Sequence, residues 1–131
     1  MEAPVIIKKP KSIVSPELLE QLKTKTHEQG QVVVHCIQKS NSPTFIRIWP
    51  STYLYDQHSE HRSELVHAEN ISYYPIWKEI GPGEYAFTLI FSGLPKSCLV
   101  FDLLEHCENQ AGAFSVNSIT RNDTDVYYVQ L

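Results

Sequence analysis

One stretch of this chain limits what it can fold into more than any other. Over residues 84–91, Tyr85, Phe87, Leu89 and Phe91 alternate with Glu84, Ala86, Thr88 and Ile90. Successive side chains on a strand point to opposite faces, so this spacing builds one aromatic face that must be kept from water. A face of that kind needs a second layer over it. Ser92-Gly93-Leu94-Pro95-Lys96-Ser97 supplies a reversal, after which Leu99, Phe101 and Leu103 repeat the period with Asp102 on the other side. Residues 84–105 therefore read as a hairpin with one buried face.

Other segments repeat the theme. Val32-Val33-Val34-His35-Cys36-Ile37 is rich in β-branched residues and lies between Gly30 and Ser40-Asn41-Ser42-Pro43. Phe45-Ile46-Arg47-Ile48-Trp49 follows and stops at Pro50, which predicts a first hairpin. The polar stretch 56–64 separates Tyr53-Leu54-Tyr55 from Leu65-Val66-His67-Ala68, and Gly81-Pro82-Gly83 marks another loop. Phe114-Ser115-Val116 and Val126-Tyr127-Tyr128-Val129 close the chain around the turn-rich Arg121-Asn122-Asp123. Seven or eight short strands without helix–strand alternation predict an all-β, antiparallel two-sheet sandwich of immunoglobulin-like type, with no parallel sheet expected.

Upstream the pattern changes. Residues 1–14 are polar and proline-bearing and read as a flexible arm. Ser15-Pro16-Glu17 combines a capping serine, a first-turn proline and an acid at the positive end of the dipole. Leu18, Leu19 and Leu22 share a face, so a short helix is expected over about 15–26, within a segment 15–28 that leads into the β domain, 29–131.

At 131 residues the chain fits one domain. A net charge of -4 speaks against a nucleic-acid binder, and the cluster Lys8, Lys9 and Lys11 reads as a solvated tail. No run of about 18 apolar residues is present to span a bilayer. The N-terminal apolar stretch is too short for a signal h-region, so the chain as written reads as cytoplasmic; removal of a leader would make it an envelope or secreted protein. Cys36, Cys98 and Cys107 lack the spacing of a disulfide framework. The sequons at Asn70 and Asn122 read as chance matches.

A linear pattern can now be assembled. It runs Thr52-Tyr53-Leu54-Tyr55-Asp56, then Leu65 and His67-Ala68-Glu69-Asn70-Ile71. Phe87-Thr88-Leu89-Ile90-Phe91, Leu94-Pro95-Lys96 and Phe101-Asp102-Leu103-Leu104-Glu105 complete it. Over about 44–120 it resembles a group of uncharacterised bacterial immunoglobulin-like domains, which share a TYL-D strand and an FTL-F--LPK----FD--E hairpin. The resemblance implies a β-sandwich that serves as an accessory module beside thioredoxin-like or other catalytic domains of envelope proteins. It implies no catalytic residues. The sequence departs from the pattern in lacking the usual glycine within 56–64, and these 131 residues are not expected to include a partner domain.

Catalytic constellations are sparse. His58, His61 and His67 are the nearest approach to a metal set, but without Cys-x-x-Cys or His-Glu-x-x-His they read as a solvated loop tip. His35-Cys36 and His106-Cys107 place neighbours on opposite strand faces, so neither makes its own thiol dyad; Cys36 would have to face His106, or the converse. Cys98 is the expected exposed thiol, with no base beside it. No Gly-x-Ser-x-Gly elbow or phosphate-cradling glycine loop exists. Asp102 and Glu105 are expected to face solvent at a strand end.

What remains is aromatic: Trp49, Tyr53, Tyr55, and Tyr73-Tyr74-Pro75-Ile76-Trp77. Such side chains either cap the ends of a thin sandwich or bind partners with a flat ring and a polar handle. The expected function is a non-enzymatic interaction or accessory module that binds protein through the aromatic loop, or self-associates through an edge strand. The alternative is a carbohydrate or small-ligand binder, and a thiol or metal enzyme ranks last. No cofactor is expected.

Overall fold

The structure, a computed structural model, describes residues 30–107 and 113–131. The predicted N-terminal arm and helix lie outside these residues. Among the described residues there is no helix, and nine strands follow in order: β1 Gln31–Ser40, β2 Thr44–Ile46, β3 Thr52–Asp56, β4 Arg62–Glu69, β5 Lys78–Ile80, β6 Gly83–Ser92, β7 Val100–Glu105, β8 Ser115–Thr120 and β9 Val126–Gln130. The described residues are all-β, as the alternation requires. Among the described residues no helix is long and apolar enough to cross a membrane.

Seven strands pair in the order β8-β7-β3-β4-β6-β1-β9, and β2 pairs with β5 in a separate ribbon. The pairs are antiparallel except β1 with β9, which is parallel, against the expectation of no parallel pairing. The polar stretch that starts at Asp56 joins β3 and β4, which pair as a hairpin with Tyr53 opposite Glu64. The two predicted hairpins, over 32–49 and 84–105, do not form. β1 pairs with β6 and β9, while β2 pairs with β5. β6 pairs with β1 and β4, and β7 with β3 and β8, so Leu94-Pro95 carries the chain between distant strands. Alternation specifies which face a strand buries; it does not specify the neighbour.

The seven-stranded sheet is folded over. At about 4.8 Å per strand, β7 and β9 would lie about 24 Å apart in a flat sheet. Instead the rings of Phe101 on β7 and Tyr127 on β9 meet edge to face at 5.0 Å. The fold occurs at β4, which pairs with β3 through Arg62–Glu64 and with β6 from Leu65 onward, with a register shift between Leu65 and His67. A strand that changes partners at a bulge turns a corner, as in orthogonally packed sheets.

One core fills the space between the halves. Phe87, Leu89 and Phe91 of β6 pack with Val32, Val34 and Cys36 of β1 on one side and with Leu54, Phe101 and Leu103 on the other, all buried. Leu99, expected to continue the inward period of β7, precedes the strand and is 66% exposed.

A polar clamp holds the two sheet edges together. Arg121, just after β8, forms an ion pair with Asp125 at 2.5 Å and donates to the carbonyls of Pro95 and Cys98 at 2.7 and 3.1 Å. Tyr127 donates its hydroxyl to Asp125 at 2.8 Å. Thus the five residues 121–125 bridge β8 and β9, the two ends of the sheet order.

Candidate functional site

β2 and its continuation carry the site. Ile46 and Ile48 point inward and are buried, which turns Phe45, Arg47 and Trp49 to the other side. Segment 72–74 lies alongside: Ile48 N–H donates to the Ser72 carbonyl and Tyr74 N–H to the Ile48 carbonyl, both at 2.8 Å. These bonds set the Tyr74 ring against Trp49, stacked at 3.7 Å with 20° between the planes. The Tyr74–Pro75 peptide is cis. Ile76 N–H closes the turn onto the Tyr73 carbonyl at 2.8 Å, and Trp77 enters β5 beside Phe45.

Arg47 lies among these rings. Its guanidinium carbon is 3.8 Å from the Trp77 ring centre, 4.7 Å from Tyr74 and 5.8 Å from Trp49. Stacking of this kind on a cation holds the side chain in place. Phe45, Trp77 and Thr44 line a shallow apolar depression of about 370 Å³.

Trp49 is anchored from behind. Glu105 is buried and accepts the backbone N–H of Trp49 at 2.8 Å and that of Phe114 at 3.0 Å. Burial pushes its carboxyl above the ordinary glutamate value, against the opposing pull of those hydrogen bonds and of Arg47. The expectation that Glu105 faces solvent is therefore corrected. Phe101, Leu103 and Glu105 share one period-two face, and that spacing was the available signal. Asp102, on the opposite face, is half-buried; it accepts Ser118 N–H at 2.7 Å and the Gln57 amide at 2.9 Å, filling the register shift between β7 and β8.

Tyr53 and Tyr55 form a second, smaller group on the outer face of β3. Their rings meet each other and His106, with the Tyr55 hydroxyl 2.6 Å from His106 Nε2 and Arg62 stacked 4.1 Å over Tyr53. The structure thus divides the aromatic candidates into two sets. Trp49, Tyr74 and Trp77 gather around Arg47, a residue that sequence reasoning did not single out, while Tyr73 is bridged to Ile48 through its backbone.

The histidines separate. His61 Nε2 lies 2.9 Å from Ser63 Oγ and 3.2 Å from the Gly93 carbonyl, His67 lies 3.4 Å from Glu69, and the backbone of His58 binds Asp56. Among the described residues no group of three or more His, Cys, Asp or Glu is placed to hold a metal. Cys36 points into the core and burial raises its thiol to about 12, while His35 points outward to stack on Tyr128 at 5.0 Å. Cys98, expected to be exposed, is buried: its N–H turns back onto the Pro95 carbonyl at 3.0 Å, which tucks the side chain inward. Burial, with Asp56 nearby, raises its thiol to about 11.

Comparison with protein-family models, curated proteins and solved structures finds no match to this chain.

Proposed function

We propose that this protein is a non-enzymatic binding module whose partner-facing surface is formed by Phe45, Tyr73, Tyr74, Ile76 and Trp77. The observation that carries this reading is their shared exposure: 57%, 37%, 39%, 62% and 54% respectively. At about 150–250 Å² per aromatic side chain, they present on the order of 400–500 Å² of apolar surface. That lies within the range of about 300–600 Å² typical of the largest apolar patch on a monomer, a patch that is often functional.

Two further observations support a protein partner over a sugar or a catalytic role. Trp49 and Tyr74 cover each other's faces and Arg47 covers one face of Trp77, so few ring faces remain for a sugar to stack on. The thiols of Cys36 and Cys98 are buried with raised pKa values, which makes them poor nucleophiles. The folded-over sheet with a single core is in keeping with an immunoglobulin-like sandwich and an accessory role, and both belong to this proposal.

Affinity capture from the native cell extract tests it. The wild type is compared with Ile76→Ser/Trp77→Ala and with Tyr128→Ser, which alters an exposed residue on the edge strand β9 instead. The reading expects a partner retained by the wild type and by Tyr128→Ser and lost by the double variant. Equal retention by the double variant, or loss confined to Tyr128→Ser, contradicts it.

A further inference from the structure

Resting on that reading, we infer that the surface takes an extended peptide segment carrying a carboxylate next to an apolar side chain, with Arg47 binding the carboxylate. Arg47 is half-buried and fixed over Trp77 and Tyr74. A guanidinium has five N–H donors in a rigid fork that matches a carboxylate. Among the described residues its one hydrogen bond is long, from Nη1 to the Pro75 carbonyl at 3.4 Å, and it makes no ion pair. Glu105 is close enough to feel its charge, but the oxygens of Glu105 are committed to the N–H groups of Trp49 and Phe114. A positioned cation with most of its donors unmet therefore stands beside an apolar depression lined by Phe45 and Trp77.

The dimensions favour a segment over a globular partner. The apolar depression is lined by three residues, Thr44, Phe45 and Trp77, which is room for a single side chain. A short strand-like or polyproline segment can seat one side chain between Phe45 and Trp77 while its neighbour reaches Arg47. A carboxylate suits a single guanidinium by charge as well as by shape.

The test is binding of the full chain to an array of ten-residue peptides. Their central positions vary over acidic, phosphorylated, neutral and basic residues beside apolar ones. The wild type is expected to select Asp or Glu next to an apolar residue. Arg47→Gln should lose the acidic preference while keeping the apolar one, and Arg47→Lys should bind at least fivefold more weakly than the wild type. Phe45→Ser should lose binding altogether, with circular dichroism showing each variant folded. Apolar selection without an acidic preference, selection of phosphorylated residues over Asp and Glu, or an acidic preference that survives in Arg47→Gln overturns the inference and leaves the surface itself standing. Binding of no peptide in a Phe45-dependent way overturns the inference, and the surface itself fails only if affinity capture also shows no dependence on Ile76 and Trp77.

Discussion

Glu105 accepts the backbone N–H of Trp49 at 2.8 Å and so fastens the aromatic surface to the end of β7. Because the same carboxylate also accepts the N–H of Phe114, one side chain satisfies two backbone donors. Replacing it with alanine should cost about 2–4 kcal/mol, and with glutamine about 1–2 kcal/mol, since an amide oxygen can serve only part of the pair. The pH dependence has a definite sign. A raised carboxyl contributes stability that is full below the ordinary glutamate value and declines as pH rises through the folded value. Urea unfolding should show the wild type's advantage over Glu105→Gln shrinking from pH 4 to pH 7.

Asp56 should behave in the opposite sense. Burial would raise its carboxyl, but hydrogen bonds from His58 N–H at 3.0 Å and Ser59 Oγ at 2.7 Å, with the Cys98 thiol and the His58 charge, bring it below the ordinary aspartate value. Its contribution is present above the unfolded value of about 3.9 and is lost as pH falls through the folded one. Asp56→Asn should cost about 1–2 kcal/mol at neutral pH and little in strong acid. A gap between wild type and variant that widens on acidification would contradict the assignment.

The fold was legible in part. Phe87, Leu89 and Phe91 are buried as their alternation requires. The polar stretch after Tyr55 is the turn of a genuine hairpin. The parallel pairing of Val34 with Tyr127 joins segments far apart in sequence, and nothing local announces it. In the site, the proline-interrupted segment left open whether its rings cap the sandwich or face outward, and only the structure shows Tyr73, Tyr74 and Trp77 exposed. Arg47 was missed because a single cation between two isoleucines reads as an ordinary outward residue; its meaning comes from the rings that a distant loop brings to it.

Arg121 should matter more than its loop position suggests. Arg121→Ala takes the ion partner from Asp125, which keeps the Tyr127 hydroxyl, and the donor from two carbonyls in a partly buried site, and should cost about 2–4 kcal/mol by urea unfolding. Arg121→Lys should recover less than half of that, because one ammonium cannot replace the fork.

Cys36 and Cys98 should resist alkylation by iodoacetamide at pH 7.5 in the folded protein and react once urea is added, read by mass spectrometry of their peptides. Burial with raised thiol pKa values is the reason. Rapid labelling of either under native conditions would mean the core is open there.

Of the chain's two tryptophans, Trp77 lies in the proposed binding surface and Trp49 stacks against Tyr74 of that surface, so intrinsic emission reports its occupancy. Titrating the captured partner into the protein while recording tryptophan emission is the most direct measurement. Emission should shift or quench along the binding curve, and Ile76→Ser/Trp77→Ala should weaken binding at least tenfold, about 1.4 kcal/mol or more. A partner that binds with emission unchanged, and binds the double variant equally well, would contradict the account.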